Sequence, residues 1–76
     1  MIFLIPGNYK EAVQWCHEKG INPRSRELVI ITVPDRILGY RYDKDKDEVH
    51  CVGTWSFRTD LHDVFERLEI MGWEMP

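Results

Sequence analysis

The sequence lacks any apolar run long enough to cross a membrane. Its opening MIFLI stops at Pro6 after five apolar residues and has no basic region before it, whereas a membrane helix needs about 20 apolar residues and a signal peptide needs a longer apolar segment behind basic residues. Only two cysteines are present, Cys16 and Cys51, and both lie in apolar patterns. Buried free thiols behave as small hydrophobic side chains and need no disulfide, so we expect a reducing, cytoplasmic environment. Because the apolar run is short, we expect no membrane attachment.

A net positive charge is also lacking, since the formal charge is −3 at pH 7. General nucleic-acid binders usually carry a basic stripe, so nucleic acid is not an expected partner. Arg24, Arg26 and Arg36 lie near one another in the sequence with acidic residues between them. This pattern is typical of a solvated surface of mixed charge.

The motifs of nucleotide chemistry are missing. The turn after the first apolar run reads PGNYKEA, which has a single glycine and a lysine, Lys10, in the wrong place to hold a phosphate. The third apolar run ends in Gly53-Thr54 rather than in an acidic residue that could bind magnesium. We therefore expect no catalytic residues and no enzymatic activity.

Metal-binding patterns are incomplete as well. The Cys-His pairs at 16–17 and 50–51 can each give at most one ligand to a shared zinc, because sequence neighbours on a helix or strand point in different directions. The aspartates of the run 43–47 match the first positions of a calcium loop, but Glu48 stands where that loop needs glycine. We expect no metal and no cofactor, and a solvated loop at 43–48.

The apolar content is that of one folded domain. The 76 residues are 43% hydrophobic, which predicts a single α/β domain spanning 1–76. Three apolar runs without alternation are typical of strands buried on both faces of a parallel sheet, at 2–5, 27–33 and 49–54. Two stretches with helical spacing of apolar residues predict helices at about 9–19 and 60–71.

Capping signals delimit the first helix. Asn8 followed by Glu11 predicts a capping box at its start, and Gly20 a left-handed stop at its end. Its expected apolar face consists of Tyr9, Ala12, Val13 and Cys16.

The second helix has a predicted N-cap at Thr59 and a stop at Gly72, after which Trp73 can fold back on Leu68. The sequence does not indicate which face of the sheet this helix covers. Between the second and third strands, DRILGY predicts one helical turn, and residues 40–42 are either extended or loop.

This order of elements predicts a Rossmann-like half, β-α-β-β-α. Right-handed crossovers favour a three-stranded parallel sheet in the order 2-1-3 with two main helices. In such a sheet, ligands bind beyond the carboxyl ends of the strands, where the strand order reverses.

The loops at that place supply the candidate binding residues, which are Asn8, Thr54, Trp55, Ser56 and Arg58. An anion could be held there by the helix N-terminus and Arg58. Alternatively, Asn8 only caps its helix, Trp55 covers the end of the sheet and Arg58 is solvated. The aromatic residues favour a contact surface, because so small a core cannot place all of them centrally, and such residues with arginine dominate protein–protein hot spots.

A resemblance to a group of known sequences rests on five stretches that together cover most of the chain: GNYKEAVQWC, HEKGINPR, PDRILGY, VGTWSFRTDLHDV and MGW. Together they resemble short reading frames of actinobacterial phages and prophages, a family of unknown function with an α/β fold. The resemblance implies a phage-encoded accessory protein in the host cytoplasm and supplies no catalytic residues. We expect a non-enzymatic protein that binds a host or phage protein or forms a homodimer. The alternative is a nucleotide- or phosphate-binding module at the carboxyl ends of the strands.

Overall fold

The computed structural model describes residues 1–75 and contains one three-stranded parallel sheet. The strands are β1 (Ile2–Pro6), β2 (Leu28–Ile30) and β3 (Glu48–Val52), and β1 lies between the other two. The predicted α/β fold with strand order 2-1-3 is therefore confirmed. From Phe3 to Pro6 the central strand is buried, because it has a neighbour on each side and a helix on each face.

The two helices cover opposite faces of the sheet. Helix α1 (Tyr9–Lys19) packs Ala12 and Cys16 against the face that carries Leu4, while α2 (His62–Ile70) packs against the face that carries Phe3 and Ile5. This division follows from the alternation of side chains along β1. Phe3, Leu4 and Ile5 are all fully buried, and each such side chain contributes about 1.5–3 kcal/mol through burial.

The connection from β2 to β3 crosses the α2 face. It contains a 3₁₀ turn at Pro34–Ile37, whose Ile37 is buried in the same core cluster as α2. Residues 40–42 form no strand, so this open point is settled in favour of loop. Tyr40 and Tyr42 contact Phe3 edge-on, with ring centroids 6.1 and 6.3 Å away.

The ends of the first helix follow the capping prediction closely. The Asn8 side chain accepts a hydrogen bond from the backbone N–H of Glu11 at 3.0 Å, and Gly20 has a φ of 69°. The Glu11 carboxylate accepts from the Asn8 side-chain amide at 3.1 Å rather than from the backbone N–H of a standard capping box. Tyr9 was wrongly placed on the apolar face, because its side chain is exposed.

The start of the second helix also corrects the prediction. Thr59 is not the N-cap; Leu61 takes that position, with no side-chain cap. The physical reason is that Leu61 is buried in the α2 core cluster, so packing determines where the helix begins. At the other end, the predicted stop is confirmed, since the Trp73 N–H donates to the Leu68 carbonyl at 2.9 Å and both side chains share one core cluster.

Two strands are shorter than predicted. β2 ends at Ile30 instead of residue 33, and the carbonyls of Ile31 and Thr32 accept hydrogen bonds from an arginine side chain rather than from another strand. β3 ends at Val52 instead of residue 54, because Gly53 turns the chain with a φ of 61°. Both strand ends therefore give way to loops at the carboxyl edge of the sheet.

Candidate functional site at the carboxyl end of the sheet

The loops that follow β1 and β3 meet where the strand order reverses, as the sequence predicts. Asn8 lies between β1 and α1, and residues 54–58 lie between β3 and α2. Trp55–Phe57 form a 3₁₀ turn that the sequence pattern did not reveal. Hydrogen bonds from Phe57 N–H to Thr54 and from Arg58 N–H to Trp55 close this turn, at 3.0 and 3.1 Å.

Arg58 is a structural link between three segments of the chain. Its Nη1 donates to the carbonyls of Pro6 and Ile31 at 2.8 and 2.7 Å, and its Nη2 donates to the carbonyl of Thr32 at 3.2 Å. Its Nε and Nη2 also bind the two carboxylate oxygens of Asp60 at 2.9 and 3.0 Å. A guanidinium has five N–H donors, and all five have partners here.

The surroundings of Arg58 differ from both sequence-based interpretations. Its side chain is only 10% exposed, so it is not solvated, and no N–H remains for a ligand. The hydrogen bonds from Arg58 also hold the pKa of the Asp60 carboxyl below its usual value. Arg58 can therefore influence a ligand at this surface only by holding the loop after β3 in position.

Glu11 is the second link, although its position in the sequence predicts only a role in the helix cap. Its carboxylate accepts hydrogen bonds from the backbone N–H and the hydroxyl of Thr54, both at 2.6 Å. The carboxylate lies directly over Gly53, where a Cβ would collide with it, and a Cβ at Gly7 would collide with Thr54. The two glycines thus allow the loop after β3 to approach α1 closely.

This arrangement limits what can bind where the strand order reverses between β1 and β3, a place that we call the reversal point. The first helix donates the N–H of Glu11 to Asn8, and the loop after β3 donates the N–H of Thr54 to Glu11. An anion at this place would have to compete with the Glu11 carboxylate, which already satisfies the donors that face it. Of the groups proposed from sequence to hold an anion, the Glu11 N–H, the Thr54 N–H and hydroxyl, and the Arg58 guanidinium already have hydrogen-bond partners within the chain.

The two aromatic side chains of the 3₁₀ turn, Trp55 and Phe57, differ in their exposure. Trp55 is half-buried and contacts Phe65 edge-on, with a centroid separation of 5.9 Å. It lines a cavity of about 460 Å³ beside β3, together with Cys51 and Trp73. The Phe57 side chain, by contrast, is 82% exposed, and Ser56 beside it is also exposed.

Three exposed apolar or aromatic side chains follow the ends of the three strands. Tyr9 follows β1 and is 55% exposed, Val33 follows β2 and is 51% exposed, and Phe57 follows β3. We call these three residues the carboxyl-end surface. Phe57 is not among the binding residues predicted from the sequence, which favoured tryptophan and arginine; the available signal was a phenylalanine in a short turn between Ser56 and Arg58.

The two thiols lie on opposite faces of the sheet. Cys16 is fully buried on the α1 face, whereas Cys51 packs against the α2 cluster. Burial raises the pKa of both thiols, which disfavours the reactive thiolate. His50 packs on the Trp15 ring at a centroid separation of 5.3 Å on the α1 face, so it points away from Cys51.

Within residues 1–75, one group of potential metal ligands comes together, formed by His62, Asp63 and Glu66 on the first turns of α2. All three are exposed, and their proximity follows from their spacing on one helix. In the aspartate run, the carboxylate of Asp47 accepts the backbone N–H of Asp43 at 2.8 Å, so this segment is an ordered turn.

Comparison with known proteins identifies no relative. No protein-family model, no curated protein and no solved structure matches the chain. The resemblance to phage reading frames stays a prediction. None of the helices described in residues 1–75 has the length and apolar character needed to span a membrane.

Proposed function

We propose that the chain is a small non-enzymatic accessory protein of phage type that binds a host or phage protein through its carboxyl-end surface. The observation that carries this proposal is the 82% exposure of Phe57 on a turn that Arg58 fixes to the sheet. An exposed phenylalanine loses water-contacting apolar area when a partner covers it. A rigid turn also reduces the ordering cost of binding.

The neighbouring side chains extend this contact surface. Tyr9 and Val33 add exposed area at the ends of the other two strands. Asn8, Thr54 and Ser56 are exposed and provide a polar rim, as is usual around the apolar centre of an interface. Of the residues proposed from sequence, Trp55 packs against Phe65 and Arg58 binds backbone carbonyls, so both are less exposed than Phe57.

Non-enzymatic function is supported by how the ionisable groups at this edge are used. The Glu11 carboxylate is hydrogen-bonded to Thr54, and the Asp60 carboxylate is hydrogen-bonded to Arg58. A general acid or base must reach a substrate, and these groups instead hold the loops together. The same engagement speaks against a phosphate at the point of strand reversal. With two free thiols, the protein suits the reducing cytoplasm of a bacterial host.

The proposal is tested by affinity capture from a lysate of an actinobacterial host. Wild type, Phe57→Ala and Ile70→Ala should be compared, because Ile70 is 79% exposed at the far end of α2 and matches Phe57 as an exposed apolar residue. We expect one partner to be captured by wild type and Ile70→Ala and lost with Phe57→Ala. Equal capture of every protein by all three forms would contradict the proposal. Sedimentation of the purified chain tests whether it forms a homodimer.

A further inference from the structure

A cavity of about 290 Å³ lies along the free edge of β2, on the α1 side of the sheet. Its lining brings together two segments that are separate in the sequence, the link before β2 and the turn after it. Arg24 lies on the first and Arg36 on the second. The volume is near the lower limit of the roughly 300–1,000 Å³ found for ligand sites, so it suits a ligand no larger than a mononucleotide.

The cavity is cationic, although the chain as a whole carries a net charge of −3. None of its lining residues, all of which belong to the described part of the chain, is acidic. Neither Arg24 nor Arg36 forms an ion pair within residues 1–75. Arg36 uses only its Nε, in a long contact of 3.5 Å with the Ile30 carbonyl, so both of its Nη groups lack a partner among the residues that the structure describes.

The remaining exposed lining is mostly polar, apart from the Tyr9 ring. Leu28 and Ile30 also line the cavity but are only 8% and 6% exposed, while the hydroxyls of Ser25 and Thr32 add donors. The Tyr9 ring also lines it and is 55% exposed. An aromatic face of this kind stacks on a planar ring, while guanidinium groups bind phosphate through paired N–H donors.

We infer that this cavity binds a small phosphate monoester with a planar ring, of which a nucleoside monophosphate is the simplest example. Arg24 and Arg36 hold the phosphate, and Tyr9 stacks on the ring. The site differs from the reversal point between β1 and β3, where the Glu11 carboxylate occupies the donors. It shares Tyr9 with the carboxyl-end surface but does not include Phe57, so the AMP titration and the capture experiment with Phe57→Ala test the two proposals separately.

The test is a titration of the ¹⁵N-labelled protein with AMP, adenosine and inorganic phosphate, followed by nuclear magnetic resonance. We expect saturable shifts with AMP in the amides of Tyr9, Ser25 and Thr32. Adenosine and inorganic phosphate should each bind more weakly than AMP, because each lacks one of the two recognised parts. Absence of saturable shifts with millimolar AMP, or equal binding of inorganic phosphate and AMP, would overturn the inference.

Matched variants locate the site. Arg24→Gln and Arg36→Gln should each weaken AMP binding by about tenfold or more, the expected loss of a hydrogen-bonded charge. Arg67→Gln removes an exposed arginine from α2, outside the cavity lining, and should leave the affinity unchanged. The spectrum of each free variant reports whether it is folded. Equal affinity of folded Arg24→Gln, Arg36→Gln and wild type would contradict the proposed site.

Discussion

The Glu11 carboxylate accepts both the backbone N–H and the hydroxyl of Thr54 at 2.6 Å, across 43 positions of sequence. This contact joins the first turn of α1 to the loop after β3. It fixes the loop that carries Phe57 at one end, and Arg58 fixes it at the other. The loop that carries Phe57 is therefore held to the rest of the fold at both ends.

Replacing Glu11 should destabilise the protein more than its partial exposure would suggest. We expect Glu11→Gln to lower the free energy of unfolding by about 1–3 kcal/mol, because the amide presents only one acceptor to the two donors of Thr54. Chemical denaturation measures this loss. Glu18→Gln on the exposed side of the same helix is the control, and an equal effect of the two changes would contradict the role given to Glu11.

Gly53→Ala should destabilise the protein for two separable reasons. Gly53 has a positive φ of 61°, and its added Cβ would collide with the Glu11 carboxylate. Gly20→Ala is the matched control, since Gly20 has a φ of 69° with open space around its Cβ position. Gly20→Ala should cost about 1–2 kcal/mol for the left-handed backbone alone. Gly53→Ala should cost clearly more, and similar losses in thermal denaturation would refute the close approach.

Arg58 should not be replaceable by lysine. Arg58→Ala leaves three backbone carbonyls and Asp60 without their donors, and we expect a loss of about 2–4 kcal/mol. Lysine keeps the charge but lacks the fork of five donors, so Arg58→Lys should recover little of this stability. Arg67→Lys on the exposed face of α2 should be neutral. Recovery of wild-type stability in Arg58→Lys would show that charge alone matters.

Asp60 should make the stability depend on acid pH. Since the hydrogen bonds from Arg58 lower the pKa of Asp60 in the folded state, this group stabilises the fold at pH values above its unfolded pKa of about 3.9. That contribution is lost as the pH falls through the lowered folded pKa. Solvent screening of the 44% exposed carboxylate limits it to about 1 kcal/mol or less.

Thermal unfolding of wild type and Asp60→Asn across the acid range checks this dependence. The variant should lose stability at neutral pH and show a flatter acid limb. Asp45→Asn, which removes an exposed carboxylate from the turn before β3, is the control and should keep the slope of wild type. An unchanged acid limb in Asp60→Asn would argue against the role of the Arg58–Asp60 pair.

The parts of the fold that sequence predicts well are those with local causes. Runs without alternation around Phe3 and Val29 indicate strands buried on both faces, and the spacing of Asn8 and Glu11 indicates a helix start. The start of α2 was placed wrongly because the burial of Leu61 outweighs the capping preference of Thr59. Tertiary packing overrides a local preference there.

The candidate site was predictable in its location but not in its chemistry. Parallel strands with the order 2-1-3 bring the loops containing Asn8 and Thr54 together. The partners of Arg58, however, are backbone carbonyls of Pro6 and Ile31, and backbone carbonyls leave no signature in the amino-acid sequence. The same limit hid the contact between Glu11 and Thr54, since only the folded chain brings them together.

Photo-crosslinking tests the central claim most directly. Benzoylphenylalanine should be incorporated at position 57 in one form of the protein and at position 70 in another, and both should be irradiated in lysate of an actinobacterial host. We expect position 57 to crosslink to one specific protein and position 70 not to crosslink to it. Crosslinking of the same proteins from both positions, or of none from position 57, would contradict it.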